Sequence, residues 1–122
     1  MTTVAVSAAD WGTSGNVTPT TMSSGNVSVI NTTTSNITTI QNVGNYPGGI
    51  ALSPDGKKLY VANYDSVSVI DTATNITIAT VKEVGSPSRV AVDPAGKKIY
   101  VTNYKRDLVS VIDTATNTVT SR

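Results

Sequence analysis

The chain has 122 residues, enough for a single domain with one hydrophobic core. Its nine basic and eight acidic side chains give a net charge of +1, and no block of like charge predicts binding to nucleic acid or to an anionic membrane. The absence of histidine and cysteine excludes disulfides, Ser-His-Asp and Cys-His nucleophiles, and metal or haem sites that depend on these ligands.

Residues 1–46 are predicted to form a divergent unit that contains a long loop. The segment NVSVINTTTSNITTIQNVG at 26–44 matches SVSVIDTATNITIATVKEVG at 66–85, with Asn31 in place of a turn aspartate. This match predicts two strands separated by a turn. The Gly/Ser/Thr-rich stretch at 11–25 contains no YVTN-like motif, and we expect it to be a loop.

The stretch TTVAVSAAD before that loop is predicted to be a strand, because its valines alternate with small or polar residues. Two alignments with the later copies are possible. In one, Val6 matches Leu52 and the stretch is the first strand of its unit. In the other, Val6 matches Val61 and the stretch is the second strand. The sequence leaves both open.

Two further copies of the unit follow one another with a period of about forty residues. PGGIALSPDGKKLYVANYDS from Pro47 aligns with PSRVAVDPAGKKIYVTNYKRDL from Pro87, and VSVIDTATN is identical at 67–75 and 109–117. The second of these copies is two residues longer, and the whole difference lies at 105–108. Length variation confined to one point predicts a surface loop between two fixed strands.

Each of these copies is predicted to contain four short strands. In residues 47–86 they are GIALS, KLYVAN, VSVID and ITIATV, and no window shows a sustained helical period. The hairpins PDGKK and PAGKK place Gly56 and Gly96 where a positive φ is needed. In the turn DTATN, the carboxylates of Asp71 and Asp113 are expected to accept hydrogen bonds from backbone N–H groups two residues on.

The strand KLYVAN is apolar or aromatic on both faces. A sheet of this kind is not stable alone and needs a similar sheet on each side, which is how the blades of a β-propeller pack. The repeats YVANYDSVSVIDTATN and YVTNYKRDLVSVIDTATN, each preceded by SPDGKK or DPAGKK, resemble the YVTN-type propeller repeat of archaeal surface-layer and related cell-surface proteins. The resemblance covers about residues 47–122 and implies blades arranged around a central channel.

We therefore predict an all-β fold of about three propeller blades, each a four-stranded antiparallel meander, in one partial domain over residues 1–122. The blades are expected at about 1–46, 47–86 and 87–122. Because propellers typically have about four to eight blades, three do not close a ring. Closure is expected from head-to-tail pairing with a second copy, most simply a dimer, or from further blades of a longer propeller.

No residue is predicted to be catalytic, and no cofactor or metal is expected. Acidic positions do not recur in all copies, because Ala95 stands where the earlier hairpin has Asp55 and Asn31 stands where later turns have aspartate. No acid–base pair is therefore repeated. A set of tyrosines recurs with the period, which favours packing between blades over stacking on a ligand. Its members are Tyr60, Tyr64, Tyr100 and Tyr104.

Three residues are predicted to contact a partner, namely Trp11, the single tryptophan, and the basic pair Lys105 and Arg106 in the longer loop. The alternative for Trp11 is that it fills the divergent first blade. Five sequons mark candidate glycosylation sites, although chance matches are expected where Ser and Thr are abundant. They begin at Asn16, Asn26, Asn31, Asn36 and Asn75. They favour an extracellular or cell-surface location, for which a signal peptide would have to come from outside this sequence.

The sequence favours a non-enzymatic cell-surface module, a structural and interaction protein that assembles with copies of itself and has no membrane span. The alternative is a fragment of a lactonase-like or quinoprotein-like propeller enzyme, in which the mouth of the channel carries the site. A third hypothesis is a propeller that binds glycans or proteins through 11–25 and 105–108. Missing histidine and unpaired acids favour the first hypothesis, so the chain is predicted not to be an enzyme.

Overall fold

The computed structural model describes residues 3–8, 24–31 and 34–122. This part of the chain contains eleven β-strands and no helix, and hence no helix that could cross a membrane. In chain order the strands are β1 (Thr3–Ala8), β2 (Ser24–Asn31), β3 (Ile37–Asn45), β4 (Ile50–Leu52), β5 (Lys58–Ala62), β6 (Val67–Asp71), β7 (Ile76–Val81), β8 (Pro87–Val92), β9 (Lys98–Asn103), β10 (Leu108–Asp113) and β11 (Thr118–Ser121). The prediction of an all-β fold is confirmed.

The strands form three antiparallel sheets in which sequence neighbours pair. Sheet 1 has the order β1-β2-β3, sheet 2 the order β4-β5-β6-β7, and sheet 3 the order β8-β9-β10-β11. Sheets 2 and 3 are the four-stranded meanders that the two most similar repeats predicted. Their second and third strands pair in the same register, since Val61 lies opposite Ser68 and Val101 lies opposite Ser110.

The register of β1 decides between the two alignments of the N-terminal stretch. Val6 lies opposite Ser28 on β2, as Val61 lies opposite Ser68 on β6. Ser28 and Ser68 hold the same place in the repeat, so β1 is the second strand of its unit. Within the described residues, sheet 1 has three strands, and none pairs with the other edge of β1.

The three sheets pack face to face in two apolar layers. The layer between sheets 1 and 2 contains the buried side chains of Val27, Ile40, Val43, Leu59, Val61 and Ile70. The layer between sheets 2 and 3 contains those of Tyr60, Val67, Val69, Ile99, Val101 and Ile112, among others. Sheet 2 is therefore covered on both faces, and consecutive residues of β5 from Leu59 to Ala62 are buried, as its two-sided apolar pattern predicted.

Sheet 3 is covered on one face only in the described structure. Along β9 burial alternates, with Ile99 and Val101 buried and Tyr100 41% exposed. The same open face carries Val109, which is 46% exposed, whereas its repeat counterpart Val67 is fully buried. The apolar side chains of sheet 3 are thus buried on the face toward sheet 2 and exposed on the other face.

The first strands of sheets 2 and 3 lie side by side. β4 contacts β8, and β1 approaches β4. Gly49 permits this close approach, because a Cβ at that position would lie 2.9 Å from the Cα atom of Arg89. The sheets therefore converge at their first strands, as propeller blades do around a central channel.

Candidate functional site

Each sheet is a meander, so successive connections lie at opposite ends of the blade. We name one end the loop rim; it carries the connections at 46–49, 63–66, 82–86 and 104–107. We name the other end the turn rim; it carries the tight hairpins at 53–57 and 93–97 and the turns at 72–75 and 114–117. The two copies differ in length only at the loop rim, which makes that rim the place to search for a site.

A pocket of about 410 Å³ opens at the loop rim between sheets 2 and 3. We name it the tyrosine pocket, because three tyrosines from three different connections line it. Its polar and aromatic lining consists of Tyr46, Asn63, Tyr64, Ser88 and Tyr104. Gly48, which precedes β4, and Pro87, which begins β8, also line the pocket. The pocket therefore lies where the first strands of two blades reach the rim.

The tyrosines contact one another and a lysine. The rings of Tyr46 and Tyr64 meet edge to face, with centroids 6.3 Å apart at an angle of 68°. Lys105 Nζ donates a hydrogen bond to Tyr64 Oη at 3.3 Å, and lies 5.1 Å from that ring centroid and 5.9 Å from the centroid of Tyr104. The hydrogen bond to Tyr64 raises the pKa of Lys105, and the electrostatic effect of Tyr104 adds to it. Lys105 therefore stays protonated at neutral pH.

The recurring tyrosines fall into different environments. Tyr60 is buried between sheets 2 and 3, as expected for packing between blades. Tyr64 is 41% exposed and Tyr104 is 60% exposed, and both line the tyrosine pocket. The prediction that the recurring tyrosines pack between blades is therefore wrong for Tyr64 and Tyr104. Both residues follow the end of a strand, and the period alone did not show that their rings turn toward the rim.

A second pocket of about 380 Å³ adjoins the first, and we name it the polar rim pocket. It is lined by Ser88, Thr102, Asn103, Tyr104, Asp107 and Leu108, among others. Ser88 and Tyr104 line both pockets. Among the described residues that line these two pockets, Asp107 supplies the one carboxylate. It lies in the longer loop at a φ of 51°, a left-handed conformation that aspartate tolerates better than most residues.

Two buried asparagines fix the loop rim to the preceding sheet. They are Asn63 and Asn103, the last residues of YVAN and YVTN. Asn103 Nδ2 donates a hydrogen bond to the carbonyl oxygen of Val84, in the connection from sheet 2. Asn63 Nδ2 donates to Ser68 Oγ at 2.8 Å, and Ser68 Oγ in turn donates to the carbonyl oxygen of Val43 in sheet 1. Each asparagine thus connects its own blade to the preceding one.

The sequence did not identify five polar or aromatic residues of these pockets as site residues, namely Tyr46, Asn63, Ser88, Thr102 and Asn103. Recurrence of asparagine at the end of YVAN and YVTN was an available signal for two of them. Tyr46 and Ser88 lie in or beside the connections between blades, where the copies differ. Their approach to the pockets depends on how the sheets pack, which no local pattern specifies.

The turn rim holds the residues predicted to shape turns. Gly56 and Gly96 have φ values of 73° and 72°. The carboxylates of Asp71 and Asp113 each accept a hydrogen bond at 2.8 Å from the backbone N–H group two residues on. These four residues close tight turns, as predicted.

The acidic hairpin residues at the turn rim are also engaged by backbone groups. Asp55 accepts hydrogen bonds from Ser53 Oγ at 2.6 Å and from the N–H group of Lys57 at 3.0 Å, and these bonds lower its pKa. In the next hairpin the carboxylate of Asp93 has the same role, because it accepts a hydrogen bond from the N–H group of Lys97 at 2.7 Å. Ala95 stands where the first hairpin has Asp55, and Asp93 supplies the carboxylate that the second hairpin would otherwise lack.

Some of the residues predicted to contact a partner or to carry glycans lie within the described part of the chain and others lie outside it. Trp11 and Asn16 lie outside the described residues, and Arg106 is exposed in the longer loop. The other sequon asparagines lie in strands or turns, with Asn26 and Asn31 in β2, Asn36 before β3 and Asn75 before β7. In the described part of the chain, no group of three or more histidine, cysteine or acidic residues could hold a metal ion.

Comparison with known proteins gives a family match and two informative structures. A family model described as "Lactonase, 7-bladed beta-propeller" matches residues 14–122. Hydrazine synthase of Kuenenia stuttgartiensis superposes with a TM-score of 0.73 at 32% identity, over 79% of this chain and 28% of that chain. The dihydro-haem d1 dehydrogenase NirN in complex with DHE superposes with a TM-score of 0.67 at 21% identity, over 79% of this chain and 21% of that chain. No curated protein matches the chain.

These comparisons confirm the propeller fold and correct the functional expectation. The chain spans less than a third of the length of either solved structure. The prediction that it is not an enzyme is contradicted by the family match, because the matching family is named for a lactonase. The matches support a β-propeller but not the assignment to surface-layer proteins.

Proposed function

Because this chain belongs to the lactonase family of seven-bladed β-propellers, we propose that it supplies three blades and part of the substrate-binding rim of an enzyme that hydrolyses lactones. The family match over residues 14–122 is the observation that carries the proposal. The polar rim pocket is the proposed substrate site, because it lies at the rim end of β8, a first strand that faces the channel. Val109 on the open face of sheet 3 also lines this pocket, so the blade proposed to cover that face would form its other wall. The tyrosine pocket beside it extends the binding surface.

Lactone hydrolysis requires a water molecule at the carbonyl carbon and a base that accepts its proton. In the proposed reaction Asp107 accepts this proton while the water oxygen bonds to the carbonyl carbon. The ring C–O bond then breaks, and the proton passes from Asp107 to the leaving ring oxygen. The hydroxyl groups of Ser88 and Thr102 are proposed to donate hydrogen bonds to the carbonyl oxygen as negative charge develops on it.

The proposed enzyme needs more blades than the three described sheets. The open face of sheet 3 carries Tyr100 and Val109, whose repeat counterparts Tyr60 and Val67 are buried by the next sheet. A blade with an apolar face like that of Ile99 would cover it in the same way. Two copies of this chain would supply six such sheets, one fewer than the family has, so the proposal favours additional blades over a simple dimer.

The test is hydrolysis of a panel of five- and six-membered lactones by the protein purified together with the further blades that complete its ring, followed as proton release. Asp107→Asn is expected to lower kcat/KM by about 100-fold, because general-base catalysis typically contributes at least that much. Asp65→Asn is the matched control, since Asp65 lies in the equivalent loop of sheet 2 and accepts a hydrogen bond from Ser66 Oγ at 3.1 Å. Absence of hydrolysis in the wild type, or equal rates for Asp107→Asn and wild type, would contradict the proposal.

A further inference from the structure

The tyrosine pocket and the polar rim pocket meet at two shared residues. Ser88, in β8, and Tyr104, in the longer loop, line both of them. A substituent on a lactone bound in the polar rim pocket therefore has the tyrosine pocket as its neighbouring cavity. From this arrangement we propose that the substrate is a lactone that carries an uncharged aromatic ring, and that the tyrosine pocket binds this ring. For the lactone group itself, the inference rests on the proposed function.

The lining of the tyrosine pocket favours an uncharged group. Among the described residues, no charged side chain lines it, whereas Asp107 lines the polar rim pocket. Lys105 lies outside the lining, and its Nζ atom donates a hydrogen bond to the hydroxyl of Tyr64 at 3.3 Å. The amide of Asn63 is buried against Gly44 on the side of sheet 1. A charged substituent would therefore lose water here without gaining an oppositely charged group in the lining.

The three tyrosines favour an aromatic ring over an aliphatic group. The rings of Tyr46 and Tyr64 meet edge to face, and Tyr64 and Tyr104 keep enough exposed surface to contact a ligand. Aromatic pairs in such geometries are more stable than the buried area alone would make them. The cavity of about 410 Å³ lies within the range of about 300–1,000 Å³ that is typical of small-molecule sites. A phenyl group therefore fits the pocket in both size and chemistry.

The backbone of Tyr46 gives independent support for a ligand site. Its φ is 48°, in the left-handed region that a bulky residue rarely adopts. Tyr46 lies in the connection 44–47, which is one residue longer than the corresponding connection 85–87. Strained residues of this kind are concentrated at ligand sites, where the surrounding structure holds them in place. The longer connection thus adds a tyrosine to the pocket at a cost in backbone strain.

The first experiment measures binding without hydrolysis. 3-Phenylcyclopentanone has the shape of γ-phenyl-γ-butyrolactone, but a CH₂ group replaces the ring oxygen, so the ring cannot be hydrolysed. Its binding to the isotope-labelled full chain is followed by NMR titration. It is expected to bind about tenfold more tightly than 3-methylcyclopentanone, because the phenyl group buries more apolar area. It is also expected to bind about threefold more tightly than 3-cyclohexylcyclopentanone, because stacking on the tyrosines adds to burial.

Substitutions test whether the tyrosine rings are responsible. Tyr64→Leu keeps an apolar side chain and is expected to weaken binding of the phenyl ketone about fivefold and to remove its preference over the cyclohexyl ketone. Tyr64→Phe keeps the ring and removes the hydroxyl that Lys105 contacts, so its affinity is expected to match that of wild type. Tyr100→Leu is the matched control, since Tyr100 is also 41% exposed but lies on the open face of sheet 3. It is expected to bind as wild type does.

Equal affinity for the phenyl ketone and either of the other ketones would overturn the inference. Equal weakening by Tyr64→Leu and Tyr100→Leu would also overturn it, because the ligand would then lie on the open face of sheet 3.

Hydrolysis of γ-phenyl- and γ-methyl-γ-butyrolactone, by the protein purified with its further blades, separates this inference from the proposed function. The phenyl lactone is expected to have a kcat/KM about tenfold higher. If both lactones are hydrolysed with equal kcat/KM, the inferred substrate class is wrong and the proposed function stands. If neither is hydrolysed, the proposed function is wrong, while the preference among the ketones still identifies a site for an aromatic ring.

Discussion

Two glycines allow buried asparagines to connect neighbouring sheets. Gly44 lies against Asn63 as Gly85 lies against Asn103, and a Cβ on either glycine would collide with the amide group of the asparagine. Gly85 also has a φ of 73°, in the left-handed region that glycine adopts at little cost. Because no side chain intervenes at Gly85, the amide of Asn103 reaches the carbonyl oxygen of Val84 in the preceding connection.

Gly85→Ala is expected to lower the free energy of unfolding more than Gly56→Ala does. Both positions have a φ of 73°, so they share a backbone cost of about 1 kcal/mol. At Gly85 the new Cβ would also lie 2.5 Å from Asn103 Nδ2, whereas at Gly56 nothing lies within 4 Å. Urea denaturation should show an additional loss of about 1–2 kcal/mol at Gly85. This additional loss should disappear in the double variant with Asn103→Ala, and strict additivity would contradict the crowding explanation.

The buried phenol of Tyr60 is expected to make the free energy of unfolding depend on pH in the alkaline range. Burial between sheets raises its pKa above the ordinary value of 10.0, and the negative charge of Asp55 raises it further. Above about pH 10 the unfolded chain loses this proton while the folded protein keeps it, so the free energy of unfolding falls as the pH rises from the unfolded pKa to the folded one. Tyr60→Phe should flatten this decline in urea titrations. Tyr104→Phe, which alters an exposed phenol, should follow wild type, and identical slopes for all three proteins would contradict the argument.

At the scale of the elements, the repeat predicted sheets 2 and 3 well and sheet 1 less well. β5 and β6 fall within the predicted strands KLYVAN and VSVID. For β1, both alignments place Val6 in an alternating apolar strand, because the side-chain pattern has a period of two and fits either neighbour. Pairing of Val6 with Ser28 distinguishes them, and that is a long-range contact that the local pattern does not contain.

The candidate site was less predictable than the strands for a physical reason. Strand positions follow from alternation along the chain, but the tyrosine pocket forms where connections of different blades meet. Tyr64 and Tyr104 recur with the period, yet their exposure depends on how far each loop folds back over the rim. The expectation of a non-enzymatic chain rested on the absence of histidine and on acids that do not pair by repeat position. It is contradicted by the match to a family named for a lactonase.

At the scale of the whole molecule, the sheets are alike in sequence and unlike in surroundings. Val67 and Val109 begin the identical segment VSVIDTATN in sheets 2 and 3. Val67 is fully buried by the next sheet, whereas Val109 is 46% exposed beside Tyr100. Contiguous apolar area of this kind on a sheet face is typical of surfaces that another element covers.

The same substitution should therefore destabilise the protein at Val67 and leave its stability nearly unchanged at Val109. Val67→Lys buries an unpaired charge between sheets and is expected to cost more than about 4 kcal/mol, enough to unfold the protein. Val109→Lys should leave the free energy of unfolding of the isolated chain within about 0.5 kcal/mol of wild type, because the charge stays in water. It should also abolish association through that face, measured as mass by light scattering across a concentration series. Equal destabilisation by both substitutions would mean that the chain itself already covers the outer face of sheet 3, and no further blade would be needed there.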